Sequence, residues 1–117
     1  MSKSDTFEND LLKLIFNATA IANIADNAAS SPLTNLYVAL HTADPGESGT
    51  QSTSEISYTG YARVAVARTS GGWTITSSSV SPAADITFGT MTAGTGGTAT
   101  YASIGVASSG ATKILYR

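Results

Sequence analysis

A mainly β protein, a small antiparallel β-sandwich or barrel of jelly-roll type behind one N-terminal α-helix, is what this sequence predicts. Three observations carry the expectation. Apolar residues recur at helical spacing near the N-terminus. From Leu33 onward the apolar period changes to two. About six such runs are then separated by Gly, Ser, Thr and Pro turn signals.

The helix is expected over residues 5–26. Asp5 can cap it, with Glu8 three residues on, as in a capping box. Phe7, Leu11, Leu14, Ile15, Ala18, Ala22 and Ala25 form one stripe. Leu12, Phe16 and Ile21 widen it, so the helix should be buried from more than one side. It should end near Asp26, before Pro32, which forbids continuation. The β-rich body then fills residues 33–117 of a single domain 117 residues long.

In "NLYVALHT", Leu36, Val38 and Leu40 face one way and Tyr37, Ala39 and His41 the other. Residues 44–57 read as a long polar loop. "YARVAVAR" is a second strand, with Ala62, Val64 and Val66 on one face. "WTITSSSV" is a third, after a Ser70-Gly71-Gly72 turn. Ile86 and Phe88 mark a fourth. In "YASIGVAS", Ala102, Ile104 and Val106 share a face, and "TKILYR" closes the set after Ser109-Gly110.

Composition narrows the function. Hydrophobic residues make up 42% and charged residues only 12%, about half the usual charged share. A sparsely charged surface suits a chain packed against others; a Ser/Thr-coated monomer is the equal alternative. The net charge is −2 and the pI about 5.0. Lys3, Lys13, Arg63, Arg68, Lys113 and Arg117 are scattered, which argues against nucleic-acid binding. There is no cysteine, hence no disulfide, zinc ribbon or thiol nucleophile. No apolar run approaches the roughly 20 residues that span a bilayer. "MSKSDTFEND" lacks the apolar core of a signal peptide, so synthesis and retention in the cytoplasm are expected.

No constellation of residues points to chemistry, and no enzyme, cofactor or metal is expected. His41 is the only histidine. No serine lies in a G-x-S-x-G elbow, so His41 is expected to bond loop backbone rather than serve a hydrolase. Asp44 and Glu47 share a loop but lack the spacing of a calcium loop. Gly94, Gly96 and Gly97 lack the Lys-Ser/Thr of a phosphate cradle and should instead permit positive φ. Tyr58, Tyr61, Trp73 and Tyr101 suit either a sugar platform or, by preference, core and subunit contact. Arg63 and Arg68 lie on opposite strand faces, so each should pair separately with a carboxylate.

The stretch "LYVALHTADPGESGTQSTSEISYTGYARVAVAR" resembles small virion structural proteins of tailed bacteriophages and prophages. The shared elements are the apolar strand Leu36 to Leu40, the turn Thr42 to Gly46, the loop Gly49 to Glu55, and the strand Tyr61 to Val66. The resemblance continues through Trp73, "ITFGTMT" and "ATYASIGVASSGATKILYR", and covers the leading "NDLLKLIFNATA". Similar proteins often continue past the last strand, whereas this sequence stops at Arg117.

The resemblance implies a virion component assembled in the host cytoplasm. Head decoration is the leading expectation: a cement protein on the outer head lattice, binding the major capsid protein and itself as a homodimer or homotrimer. The alternative is a tail or baseplate accessory that contacts a fibre, another tail protein or a host glycan. Neither nucleic acid nor membrane is an expected partner. The expected contact residues are Phe7, Leu11, Phe16, His41, Asp44, Pro45, Tyr58, Tyr61, Arg63 and Tyr116.

Overall fold

The computed structural model describes residues 1–22, 24–25 and 32–117. It is mainly β, with antiparallel sheets and one N-terminal helix. The elements are α1 (Asp5–Asn17), β1 (Asn35–His41), β2 (Val64–Ala67), β3 (Trp73–Thr76), β4 (Ser79–Pro82), β5 (Tyr101–Gly105) and β6 (Ile114–Tyr116). One sheet has four strands in the order β2-β1-β5-β6; a second pairs β3 with β4, and neither closes into a barrel. The chain divides into two compact units, residues 1–35 with 66–85, and residues 36–65 with 86–117.

The first unit holds α1 and the β3–β4 hairpin. Ser4, not Asp5, is the N-cap, and its Oγ accepts from the Phe7 N–H at 3.3 Å. Asp5 and Glu8 occupy the first turn, where negative charge suits the helix dipole. The helix ends at Asn17, well short of the expected Asp26, and Asp26 itself lies outside the described residues. Ala18 takes the left-handed conformation (φ 50°, ψ 31°), and its N–H and that of Thr19 both donate to the Lys13 carbonyl. Arg68 completes the end: Nε donates to the Ile15 carbonyl at 2.6 Å and Nη2 to that of Leu14 at 2.7 Å. A cation on the last carbonyls of a helix is favourable.

Alanine pays a steric penalty in that left-handed position. Ala18→Gly is therefore expected to raise stability by about 1 kcal/mol, measured as an upward shift of the urea midpoint at constant slope. A loss of stability would show that the αL position is not what limits this helix end.

"WTITSSSV" is not one strand. It reverses at Ser77 (φ 54°) into β4, placing Trp73 opposite Pro82 and Ile75 opposite Val80. Asn9 on α1 donates to the Ser77 carbonyl at 2.6 Å. Trp73 and Phe16 are both buried and meet edge to face, with ring centroids 4.8 Å apart.

The second unit is organised around β1, which pairs antiparallel with β5. Leu36 and Val38 are buried on one face, but so are Ala39 and His41 on the other. β5 buries Ser103 and Gly105 rather than the expected face of Ala102, Ile104 and Val106. The reason lies across the strands. Tyr37, Ala39 and His41 stand opposite Gly105, Ser103 and Tyr101, so small residues on β5 make room for the polar layer described below. Ile86 and Phe88 form no strand; the segment is tied instead by the Thr59–Ala93 bridge. Gly94, Gly96 and Gly97 adopt φ of 95°, 63° and 146°, as their spacing suggested.

Candidate functional site

The polar loop between β1 and β2 folds back over the second unit and buries a network centred on Arg63. That side chain is only 2% exposed. Its Nε donates to Glu55 Oε1 and its Nη2 to Glu55 Oε2, each at 2.8 Å, a bidentate fork. Nη1 reaches the Ala107 carbonyl and Thr112 Oγ1 at 3.1 Å and Gln51 Oε1 at 3.3 Å. Nη2 also donates to the Gly110 carbonyl at 2.8 Å. One guanidinium thus ties the loop to the turn between β5 and β6, and every one of its nitrogens is engaged.

Gln51 is fully buried beside it and donates to the Tyr37 carbonyl at 2.9 Å. The Gln51 side chain lies where a Cβ on Gly105 would project. Gly105→Ala is therefore expected to destabilise by about 1–3 kcal/mol, because a hydrogen-bonded Gln51 cannot swing aside freely. Thermal unfolding checks this, and an unchanged midpoint would mean that the Gln51 contacts are dispensable.

Tyr61 closes the network on the other side. Its hydroxyl donates to Glu55 Oε1 at 2.9 Å and accepts from the Leu40 N–H at 3.1 Å. Burial and its bond to Glu55 push the phenol up to about 12. For Glu55, burial acts to raise the carboxyl, but donation from Arg63 and Tyr61 and the Arg63 charge outweigh it and hold it below its ordinary range. A depressed folded-state value stabilises the protein above the unfolded value, and that contribution is lost as pH falls through the folded value. Urea unfolding across a pH series below neutrality should therefore show stability declining with acid in the parent and declining less steeply in Glu55→Gln. Parallel curves would remove Glu55 from the acid response.

His41 is fully buried at the end of β1. Nδ1 donates to the Thr53 carbonyl at 2.8 Å, so it bonds loop backbone as expected. Nε2 lies 2.8 Å from Ser103 Oγ. With a proton on Nδ1, the tautomer that donates to Thr53 presents Nε2 to Ser103 as an acceptor. The pair has the separation of a base and a nucleophile. Yet Ser103 is 1% exposed and His41 0%, so a substrate reaches neither atom as they stand.

The expected contact residues separate. Phe16, His41, Pro45 and Arg63 are buried within the chain. Phe7, Asp44 and Tyr116 are exposed, whereas Leu11, Tyr58 and Tyr61 are half-buried. Asp44 accepts from the Gly46 N–H at 2.9 Å and from Arg117 Nη1 at 2.6 and 2.7 Å. The Gly46 bond first, with Arg117 in support, holds its carboxyl below the ordinary range against the opposing effect of burial. No group of three metal-ligating side chains assembles among the described residues.

Of the four aromatics for which the sequence favours core or subunit contact over a sugar platform, Trp73 is buried in the first unit; in the second, Tyr58 and Tyr61 meet at 5.4 Å and Tyr61 stacks on Phe88 at 6.0 Å. Arg68 donates to the carbonyls of Leu14, Ile15 and Leu33. Sequence reasoning gave no role to Gln51, Ser103 or Thr112, for they carry the same uncharged polar signature as the many Ser and Thr of this sequence.

A surface groove of about 450 Å³ opens beside the network. Glu55, Ser57, Tyr61 and Ala62 form one wall, and Ser108 and Ser109 the other.

The network is a structural arrangement, in which one arginine with every nitrogen engaged ties the loop to the turn between β5 and β6. The chain belongs to the podophage GP4 fiber I protein gp80 family, whose model matches residues 2–117. The bacteriophage virion origin that the resemblance implied therefore holds, without a choice between head and tail. Comparison with curated proteins and with solved structures gives no match.

Proposed function

We propose that this protein is a fibre component of a podophage virion, working by contact with other virion proteins and with the host surface. The observation that carries this reading is the family match over residues 2–117. It favours the tail or fibre alternative over the head decoration expected from the sequence. The protein acts without turnover on this reading, which is supported by the burial of His41 and Ser103 and the engagement of Arg63 with Glu55. Its partners are a second copy of itself and a tail protein, joined by many weak contacts that multivalency makes strong.

Cryo-electron microscopy of the intact virion tests this. Density that fits residues 36–65 and 86–117 within the fibres is expected. The same density on the outer head lattice would overturn the fibre reading and restore the decoration role.

A further inference from the structure

The groove beside Arg63 combines an exhausted floor with an uncommitted rim. All the Arg63 nitrogens already donate to protein acceptors. The hydroxyls of Ser57, Ser108 and Ser109 have no partner among the described residues, and all three serines are exposed. Glu55 lines the groove with a fixed carboxylate. Its Oε1 accepts from both Arg63 and Tyr61, whereas Oε2 accepts from Arg63 Nη2 and keeps acceptor capacity. Ile56, Ala62 and the edge of Tyr61 add apolar surface.

This chemistry is selective. An anionic ligand would meet the Glu55 charge and find no free guanidinium N–H to offset it. A purely apolar ligand would strip water from three hydroxyls without replacing their hydrogen bonds. A compact neutral polyol satisfies both: its hydroxyls donate to Glu55 and exchange bonds with the serines, while its C–H faces cover Ala62 and Tyr61. The volume falls within the range of small-molecule pockets. The floor is preorganised, so little ordering opposes binding.

We propose that this groove binds one neutral saccharide unit of a host surface glycan, with Glu55 as acceptor and Ser57, Ser108 and Ser109 as the rim. The assignment deepens the fibre reading and rests on it for the source of the glycan.

The test is a nuclear magnetic resonance titration of the isotope-labelled full chain. The probes are glucose, galactose, rhamnose and N-acetylglucosamine, as monosaccharides and short oligosaccharides, with N-acetylneuraminic acid as the anionic comparator. At least one neutral sugar is expected to shift the amides of Ser57, Ala62 and residues 108–110 saturably, and the anionic sugar to bind about tenfold more weakly or not at all. Ala62→Trp, a groove-filling change at an exposed position, should abolish the shifts while leaving the dispersion of the spectrum intact. Ser109→Ala, which removes one hydroxyl without adding bulk, should weaken binding and keeps the test decisive if the larger change disturbs folding.

Absence of saturable shifts with every neutral sugar would overturn the assignment. So would preferred binding of the anionic sugar, or unchanged binding in both variants. Fibre density in the virion together with no saccharide binding would sink this inference alone. Saccharide binding by a protein located on the head would instead sink the fibre reading and leave the groove chemistry standing.

Discussion

Replacing Arg63 with alanine is expected to destabilise the protein by about 3–5 kcal/mol, the range seen when one partner of a buried ion pair is removed. The size follows from what is left behind. Glu55 would keep its charge with only Tyr61 still donating to it. The carbonyls of Ala107 and Gly110, with Thr112 Oγ1 and Gln51 Oε1, would lose a shared donor. Arg63→Lys should recover little of the loss, because an ammonium cannot reproduce the planar fork on Glu55 while also reaching the Gly110 carbonyl.

A double-mutant cycle with Glu55→Ala separates the pair from the rest. Removing Glu55 as well should relieve part of the Arg63→Ala penalty, since no unpaired carboxylate remains. Denaturant unfolding measures all four species. A loss below about 1 kcal/mol for Arg63→Ala, the level of an exposed pair, would mean that solvent replaces the guanidinium and that the network does not lock the loop.

How far these features could be read from the sequence depends on where the information sits. The switch from helical to two-residue periodicity is local, and it correctly separates α1 from the β-rich remainder. The helix end is not local. Ala18 gives no glycine signal, and Arg68, which satisfies the last carbonyls, arrives from 50 residues further along. The turn at Ser77 is similarly silent, because serine carries no strong preference for φ of 54°. Apolar residues mark the wrong face of β5: Ser103 and Gly105 turn inward because His41 and Gln51 occupy that side. Burial there follows polar complementarity between distant segments, which hydropathy cannot show.

The candidate site shows the same limit. His41 and Arg63 were visible as isolated residues of an unusual kind, and backbone bonding by His41 was legible because a turn follows it. Glu55 was one carboxylate among eight. Its pairing with Arg63 requires the loop to fold back, and nothing in "GTQSTSE" distinguishes the buried Gln51 and half-buried Glu55 from their exposed neighbours.

Trp73→Ala should be comparably severe in the first unit, with a loss of about 3–5 kcal/mol. Trp73 is 1% exposed and meets the fully buried Phe16, and these two rings are the buried hydrophobic side chains of that unit among the described residues. A small core has few neighbours able to collapse into the vacated space, which places the expected loss toward the upper part of the range. Trp73→Phe sharpens the argument. The indole Nε1–H is buried with no hydrogen-bond partner among the described residues, and an unmade bond of this kind costs about 1–3 kcal/mol. Phenylalanine removes that orphan donor while keeping a ring against Phe16. Its loss of volume and its relief of an unsatisfied group therefore oppose each other, and Trp73→Phe should fall far short of Trp73→Ala. Thermal unfolding of both variants, with Phe16→Ala as the reference for the partner ring, decides the matter. If Trp73→Phe proved as damaging as Trp73→Ala, the indole N–H would have to be making a stabilising contact, and ring volume could no longer be the main contribution of this residue.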